Sequence, residues 1–221
     1  MSATESTFLF ADIAGFTALT EAHGDEQAAE LVADFCRAVE AEIPTGRGAH
    51  VKTMGDAVML RLDDPAEAIG LGLRIAGGLM DAHGAPPVRV GLHHGSAIER
   101  GGDYFGAAVN LAARVPAVAT SGEVLLTAST AALVPEIEGV FYESRGRHEL
   151  RNVTEPVELF AAVPIGAEAR GRLPIDPVCR MAVDPDRAAG RLMYDGAAHF
   201  FCSLACAGEF ARRPEAFVTQ R

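Results

Sequence analysis

Phe8-Leu9-Phe10-Ala11-Asp12-Ile13-Ala14-Gly15-Phe16-Thr17 is the stretch that decides the reading. An apolar run of strand length ends on a carboxylate, and a glycine follows where a helix can start. Glycine lets backbone N–H groups come close to a phosphate, and a helix N-terminus favours anions. A second run, Val51-Lys52-Thr53-Met54-Gly55-Asp56-Ala57-Val58, reads as part of two strands over 48–62, folded at Gly55-Asp56. Taken singly, each aspartate reads as a turn or cap residue. Taken together, two carboxylates at strand tips suit Mg²⁺, which is usually held by one or two carboxylates plus substrate phosphates. Lys52 is the only lysine among 19 basic residues, the rest being arginine. A lysine kept against that bias fits a site that wants a compact ammonium.

The chain has 221 residues and a net charge of −11. That length holds one medium domain and a small one. The net negative charge lies before residue 166: residues 1–165 carry 23 acids and 11 bases, and residues 166–221 carry 7 acids and 8 bases. Such a body disfavours nucleic acid and anionic membranes as partners, but not a phosphorylated small molecule whose charge is balanced by metal ions. No apolar run reaches the roughly 18 residues of a membrane span. The N-terminus lacks the basic and apolar regions of a signal peptide, so a cytoplasmic location with reduced cysteines is expected.

Helical spacing of Ala28, Leu31, Val32, Phe35, Val39 and Ile43 predicts a helix from Asp25 to about Ile43, packed on a sheet rather than forming a dimer surface. Cys36 in that helix is expected in the core. Further helices are expected at 65–83 and 105–118, one more helical turn after Thr127, and strands at 88–98, 123–126, 139–149 and 156–163. This order predicts an α+β sandwich with helices on a mixed or antiparallel sheet. Residues 164–174 carry Pro, Gly and charge without periodicity and read as a linker. Within 105–118, Asn110 and Arg114 share one helix face, reading either as a solvated stripe or as part of a site.

Four runs resemble the class III nucleotidyl cyclase catalytic domain over residues 5–163. They are Phe-Ala-Asp-Ile-Ala-Gly-Phe-Thr, Lys-Thr-Met-Gly-Asp-Ala, Val-Gly-Leu-His-His-Gly at 90–95, and Asp-Tyr-Phe-Gly-x-x-Val-Asn-x-x-x-Arg at 103–114. The resemblance implies the family's ferredoxin-like, palm-type sandwich and conversion of ATP to 3′,5′-cyclic AMP and pyrophosphate. It implies that Asp12 and Asp56, with the Ile13 carbonyl, hold two Mg²⁺ or Mn²⁺ ions. Gly15, Phe16 and Thr17 would line the phosphates, and Arg151 would contact the terminal ones. Lys52 and Asp103 match the pair that reads adenine, where guanylate-forming relatives carry Glu and Cys or a similar pair. Asn110 would orient the ribose, and Arg114 would balance charge on the α-phosphate. The family also implies a head-to-tail homodimer, with the two aspartates from one subunit and Lys52, Asp103, Asn110 and Arg114 from the other. The short segment from Ile98 to Asp103, where many relatives carry a long arm, implies a weak dimer. The alternative is a catalytically silent homologue that binds a nucleotide and acts in regulation.

Residues 175–218 contain Asp176-Pro177-Val178-Cys179-Arg180-Met181 and Phe200-Phe201-Cys202-Ser203-Leu204-Ala205-Cys206. They resemble the YHS family of small treble-clef-like modules, with Arg180 where Gly is usual. Cys179, Cys202 and Cys206 could bind Zn²⁺ or Cu⁺ and modulate the first domain. The fourth ligand is open between His199, water and none. The competing reading is three reduced cysteines acting as small buried hydrophobes. Ser203 is expected to cap a helix that runs to Arg212 and ends before Pro214.

Overall fold

The computed structural model describes residues 3–77, 79, 86–166 and 173–218. In chain order it contains β1 (Ala3–Ile13), α1 (Phe16–His23), α2 (Asp25–Glu42), β2 (Gly48–Met54), β3 (Ala57–Leu62) and α3 (Pro65–Ala76). There follow β4 (Val88–Arg100), β5 (Asp103–Phe105), α4 (Ala107–Ala112), β6 (Val124–Thr127), α5 (Ala128–Leu133), β7 (Val140–His148) and β8 (Val157–Pro164). The C-terminal part is β9 (Gly190–Tyr194), β10 (Ala197–Phe201) and α6 (Leu204–Arg212). Two compact units result. One is Met1–Asp12, Cys36–Leu79 and Val88–Arg170; the other is Ile13–Phe35, Met80–Pro87 and Gly171–Arg221. Helix α1 therefore groups with the C-terminal module.

Among the described residues, eight strands form one sheet with the path β2-β3-β1-β4-β6-β8-β7, and β5 pairs with β4. The β4–β6 pair is parallel, whereas β1–β3, β2–β3, β6–β8 and β7–β8 are antiparallel. This is the mixed α+β sheet that the element order implied. In β1, consecutive residues from Ser6 to Ala11 are buried, so both faces of the strand are covered. Phe8, Phe10, Met59 and Ala97 pack with Ala108, Val109 and Ala112 of α4.

Helix α2 ends one residue before the expected stop, with Ala28, Phe35 and Val39 buried. Cys36 is half-buried, not core, with its Sγ 3.4 Å from Thr53 Oγ1. Helix α3 starts on a cap the sequence reading missed: Asp64 Oδ1 accepts from the Ala66 N–H at 2.7 Å. Its expected continuation to His83 falls largely on residues 78 and 80–85, outside those described. The expected helix 105–118 breaks. Phe105 ends β5, α4 stops at Ala112, and Val115–Val118 is a short 3₁₀ helix. Pro116 is the cause, because it offers no N–H and biases Val115 away from helix.

Gly91 fixes how that 3₁₀ segment meets β4. A Cβ there would lie 2.4 Å from Pro116 Cδ and 2.7 Å from Val115 Cβ. Gly91→Ala is expected to destabilise the protein by about 1–3 kcal/mol through overpacking. Denaturant unfolding of the two proteins measures it, and coincident midpoints would contradict the packing.

Candidate active site and cysteine cluster

The register of β1 on β3 sets Asp12 opposite Ala57, next to Asp56 in the hairpin turn. Gly55 makes that turn at φ 65°. Burial raises the Asp12 carboxyl above its ordinary value; the Arg89 hydrogen bonds and charge oppose this, and the Asp56 charge adds to it. Arg89 was not singled out in the sequence. It forks onto Asp12, with Nε 3.0 Å from Oδ1 and Nη2 2.7 Å from Oδ2. A half-buried carboxylate disfavoured by a second one nearby is where a divalent cation brings needed countercharge. The donor set therefore fits the metal chemistry, with Asp12 already shared with Arg89.

Asp12, Lys52, Arg89, Asn110 and Arg114 line one open groove of about 460 Å³, walled by Phe10, Met59 and Val109. Asn110 and Arg114 reach it from α4 and the residue that leads into the 3₁₀ segment. Lys52 on β2 donates to both oxygens of Asp103 on β5, at 2.8 and 2.7 Å. The Asp103 carboxyl also accepts from the Tyr104 N–H at 2.8 Å. The two residues expected to read a base are thus together. Arg151 is not with them; it is an exposed turn residue between β7 and β8, absent from the groove lining. Gly15 precedes α1 in the left-handed region at φ 77°, leaving the first helical N–H groups without a side-chain cap. Phe16 is half-buried and Thr17 exposed.

In the second unit, Cys179 Sγ lies 3.3 Å from Cys202 Sγ, and Cys202 Sγ lies 3.8 Å from Cys206 Sγ. Asp176 organises the loop: it is fully buried and accepts from the N–H groups of Val178, Cys179 and Cys202. Ser203 caps α6 as expected, accepting from the Cys206 N–H at 3.1 Å. Sharing a proton with Cys179 pulls the Cys202 thiol down to about 7 and pushes the Cys179 thiol up. His199 is not in this cluster. Its ring packs against Phe210 at 4.9 Å, tilted by 36°, and its Nε2 is buried with no hydrogen-bond partner among the described residues. His23, which the sequence reading passed over, has Nε2 3.5 Å from Cys202 Sγ. No local pattern marks it, because 156 residues separate it from Cys179.

Comparison with known proteins resolves the fold family. Residues 2–161 match the adenylate and guanylate cyclase catalytic domain. The chain belongs to the class III nucleotidyl cyclase family. Residues 175–221 match the YHS domain. A pH-sensitive adenylate cyclase of Mycobacterium tuberculosis is 34% identical over 161 residues, covering 72% of this chain and 40% of that protein. An adenylate cyclase of Streptomyces griseus is 35% identical over 182 residues, covering 80% of this chain and 44% of that protein. The chain thus spans about two-fifths of the length of these relatives. The adenylyl cyclase CyaB from P. aeruginosa has the same cyclase fold, with a TM-score of 0.63 and 22% identity over 74% of this chain and 96% of that one. No helix among the described residues is long and apolar enough to cross a membrane.

The Lys52 hydrogen bonds hold the Asp103 carboxyl below its ordinary value, with the Tyr104 N–H and the Lys52 charge adding to the effect. A depressed carboxylate contributes stability above its unfolded value, and that contribution is lost as pH falls through the folded value. Lys52→Met is therefore expected to move the Asp103 titration up towards 3.8. Carboxyl ¹³C chemical shifts against pH measure it, and an unmoved titration would break the link between the two residues.

Proposed function

We propose that the chain is an adenylate cyclase that converts ATP to 3′,5′-cyclic AMP and pyrophosphate. The observation that carries this reading is the Lys52–Asp103 pair, joined by two hydrogen bonds beside the groove that Asn110 and Arg114 line. Adenine presents an acceptor at N1 next to a donor at its exocyclic amine. Lys52 is a donor and Asp103, held ionised, is an acceptor, so the pair complements that edge. Guanine presents the reverse order, a donor at N1 next to an acceptor at O6, and would set donor against donor. Family membership alone covers both bases, so the choice of ATP rests on these two side chains.

Asn110 would orient the ribose so that its 3′-oxygen faces the α-phosphorus. In the reaction the 3′-O–P bond forms, the 3′-hydroxyl proton is lost, and the bond from the α-phosphorus to the bridging oxygen breaks to release pyrophosphate. Arg114 would balance the charge that builds on the α-phosphate. Asp12, Asp56 and the Ile13 carbonyl would hold two divalent cations, Mg²⁺ or Mn²⁺, which when bound activate the 3′-hydroxyl and neutralise the leaving group. Gly15, Phe16 and Thr17 would line the phosphates.

The proposal includes a head-to-tail homodimer in which each site takes Asp12 and Asp56 from one subunit and Lys52, Asp103, Asn110 and Arg114 from its twin. Exposed apolar side chains support a partner surface: Met54 on β2, Ile98 on β4 and Phe105 on β5 are 41%, 41% and 53% exposed. The short β4–β5 turn at Gly101-Gly102 leaves no long arm to clasp the twin, so the dimer would be weak.

Purified protein given ATP and Mn²⁺ is expected to make cyclic AMP, with specific activity falling on dilution. Asp56→Ala should stay at the blank, and Arg114→Ala should lose on the order of 10²–10³ in rate. Wild-type product no higher than that of Asp56→Ala would sink the enzyme reading and leave a nucleotide-binding homologue.

A further inference from the structure

The cysteine cluster has a fourth member that lies outside the C-terminal module. Donor atoms of His23, Cys179, Cys202 and Cys206 all lie within 4.8 Å of one another. His23 is the last residue of α1, inside the stretch that matches the cyclase catalytic domain. A tetrahedral zinc site with Zn–S bonds of 2.3 Å has S···S edges of roughly 3.8 Å, and a Zn–N bond of 2.0–2.1 Å sets S···N edges of roughly 3.5 Å. The observed Cys202–Cys206 separation is 3.8 Å and the His23–Cys202 separation is 3.5 Å. The Cys179–Cys202 edge, at 3.3 Å, is shorter than the ideal edge, though far longer than the roughly 2.05 Å of a disulfide. Three thiolates and one imidazole are a closed structural set, and four donors at this spacing favour Zn²⁺ over other soft ions.

We propose that His23 completes a Cys₃His site with Cys179, Cys202 and Cys206, and that Zn²⁺ bound there pins helix α1 to the C-terminal module. The ligand shell is already ordered. Asp176 ties the Cys179 loop to the Cys202 backbone, and Ser203 holds the first turn of α6 under Cys206. Arg180, the residue after Cys179, lies against Gly15, where a Cβ would come within 2.4 Å of its Cγ. Arg180 adopts φ 68°, an unusual backbone for a residue with a side chain, and one that places its side chain on the glycine that opens α1. The ion would thus hold both ends of α1: His23 through a bond, and Gly15 through the residue that follows a ligand. Occupancy then sets the order of the segment between Asp12 and α2. This assignment stands apart from which reaction the chain catalyses.

Zinc content and Co²⁺ titration of the full chain test the site, with hydrogen exchange of the peptide spanning Gly15–His23 as a second readout. Wild type is expected to bind one ion per chain, with the absorption of tetrahedral Co²⁺ and thiolate charge transfer. His23→Ala should weaken Zn²⁺ binding by at least about tenfold and lose the tetrahedral spectrum, the scale expected when the surroundings of a metal are disturbed. His23→Cys should restore both, and His199→Ala should leave both intact. Zn²⁺ should slow exchange in the α1 peptide of wild type and His23→Cys, but not of His23→Ala. An unchanged spectrum and affinity in His23→Ala, a wild type that takes up no ion, a Cys179–Cys202 disulfide in the protein purified with or without reductant, or α1 exchange indifferent to Zn²⁺ would each overturn the proposal.

Discussion

The register of β1 against β3 is the constraint on which the candidate active site depends. Thr7 faces Leu62 and Asp12 faces Ala57 at the two ends of one continuous ladder. Because side chains alternate along a strand, a slip of one residue would move every side chain to the opposite face. That slip is costly here, since Phe8, Leu9, Phe10 and Ala11 are all buried and both sheet faces are occupied. The hydrophobic core therefore sets the position of a carboxylate at the strand end to within a residue. The hairpin turn at Gly55-Asp56 then needs only its own tight geometry to bring the second carboxylate alongside. Packing energy, which is large and non-directional, is converted into placement of two charges that would otherwise avoid each other.

Much of this was legible in the sequence, because it is local. The apolar run ending at Asp12, the Gly55-Asp56 fold and the Ser203 cap each announce themselves within a few residues, and each lies where it was read. Asn110 and Arg114 were placed on one helix face and do reach one groove, although the helix between them breaks. The break shows why boundaries fail first: a proline four residues past the last residue of α4 outweighs an apolar pattern that runs on. What could not be read is what depends on distant parts of the chain meeting. Arg89 sits 77 residues from Asp12, and nothing in Val88-Arg89-Val90 marks it as the partner of a site carboxylate. His23 gives no sign either, whereas His199, one of the open choices for the fourth ligand, belongs to the aromatic packing around Phe210.

The division of the chain into units differs in an instructive way from its division into families. The cyclase match runs without interruption from residue 2 to 161. Yet the segment Ile13–Phe35 is compact with the C-terminal residues rather than with the sheet. Ala22 packs beside Val178, Cys179, Phe201 and Phe210, so the module's small core borrows apolar surface from α1. A module of about 45 residues is near the lower limit at which a hydrophobic core suffices alone. Borrowed surface is one remedy and a metal ion is another, and the same helix offers both.

The charge of the groove runs against the charge of the chain. The chain as a whole is strongly acidic, at −11. The groove is the reverse: Lys52, Arg89 and Arg114 face it against the single lining carboxylate of Asp12. A local cationic groove in an acidic body attracts a small anion over short range while the body's net field repels polyanions such as nucleic acid. Two of the three cations are already committed, Lys52 to Asp103 and Arg89 to Asp12. A nucleotide in the groove would have to compete with or bridge these pairs. Arg114 appears in no ion pair among the described residues, which leaves its guanidinium open to a phosphate in the groove. Under the proposed function, a nucleotide carrying its own divalent cations would relieve the Asp12–Asp56 repulsion of one subunit while its base bridged Lys52 and Asp103 of the twin. A bare polyanion could do neither, and that difference, more than the sign of the groove, is the basis on which the proposed site would select a metal-bound nucleotide.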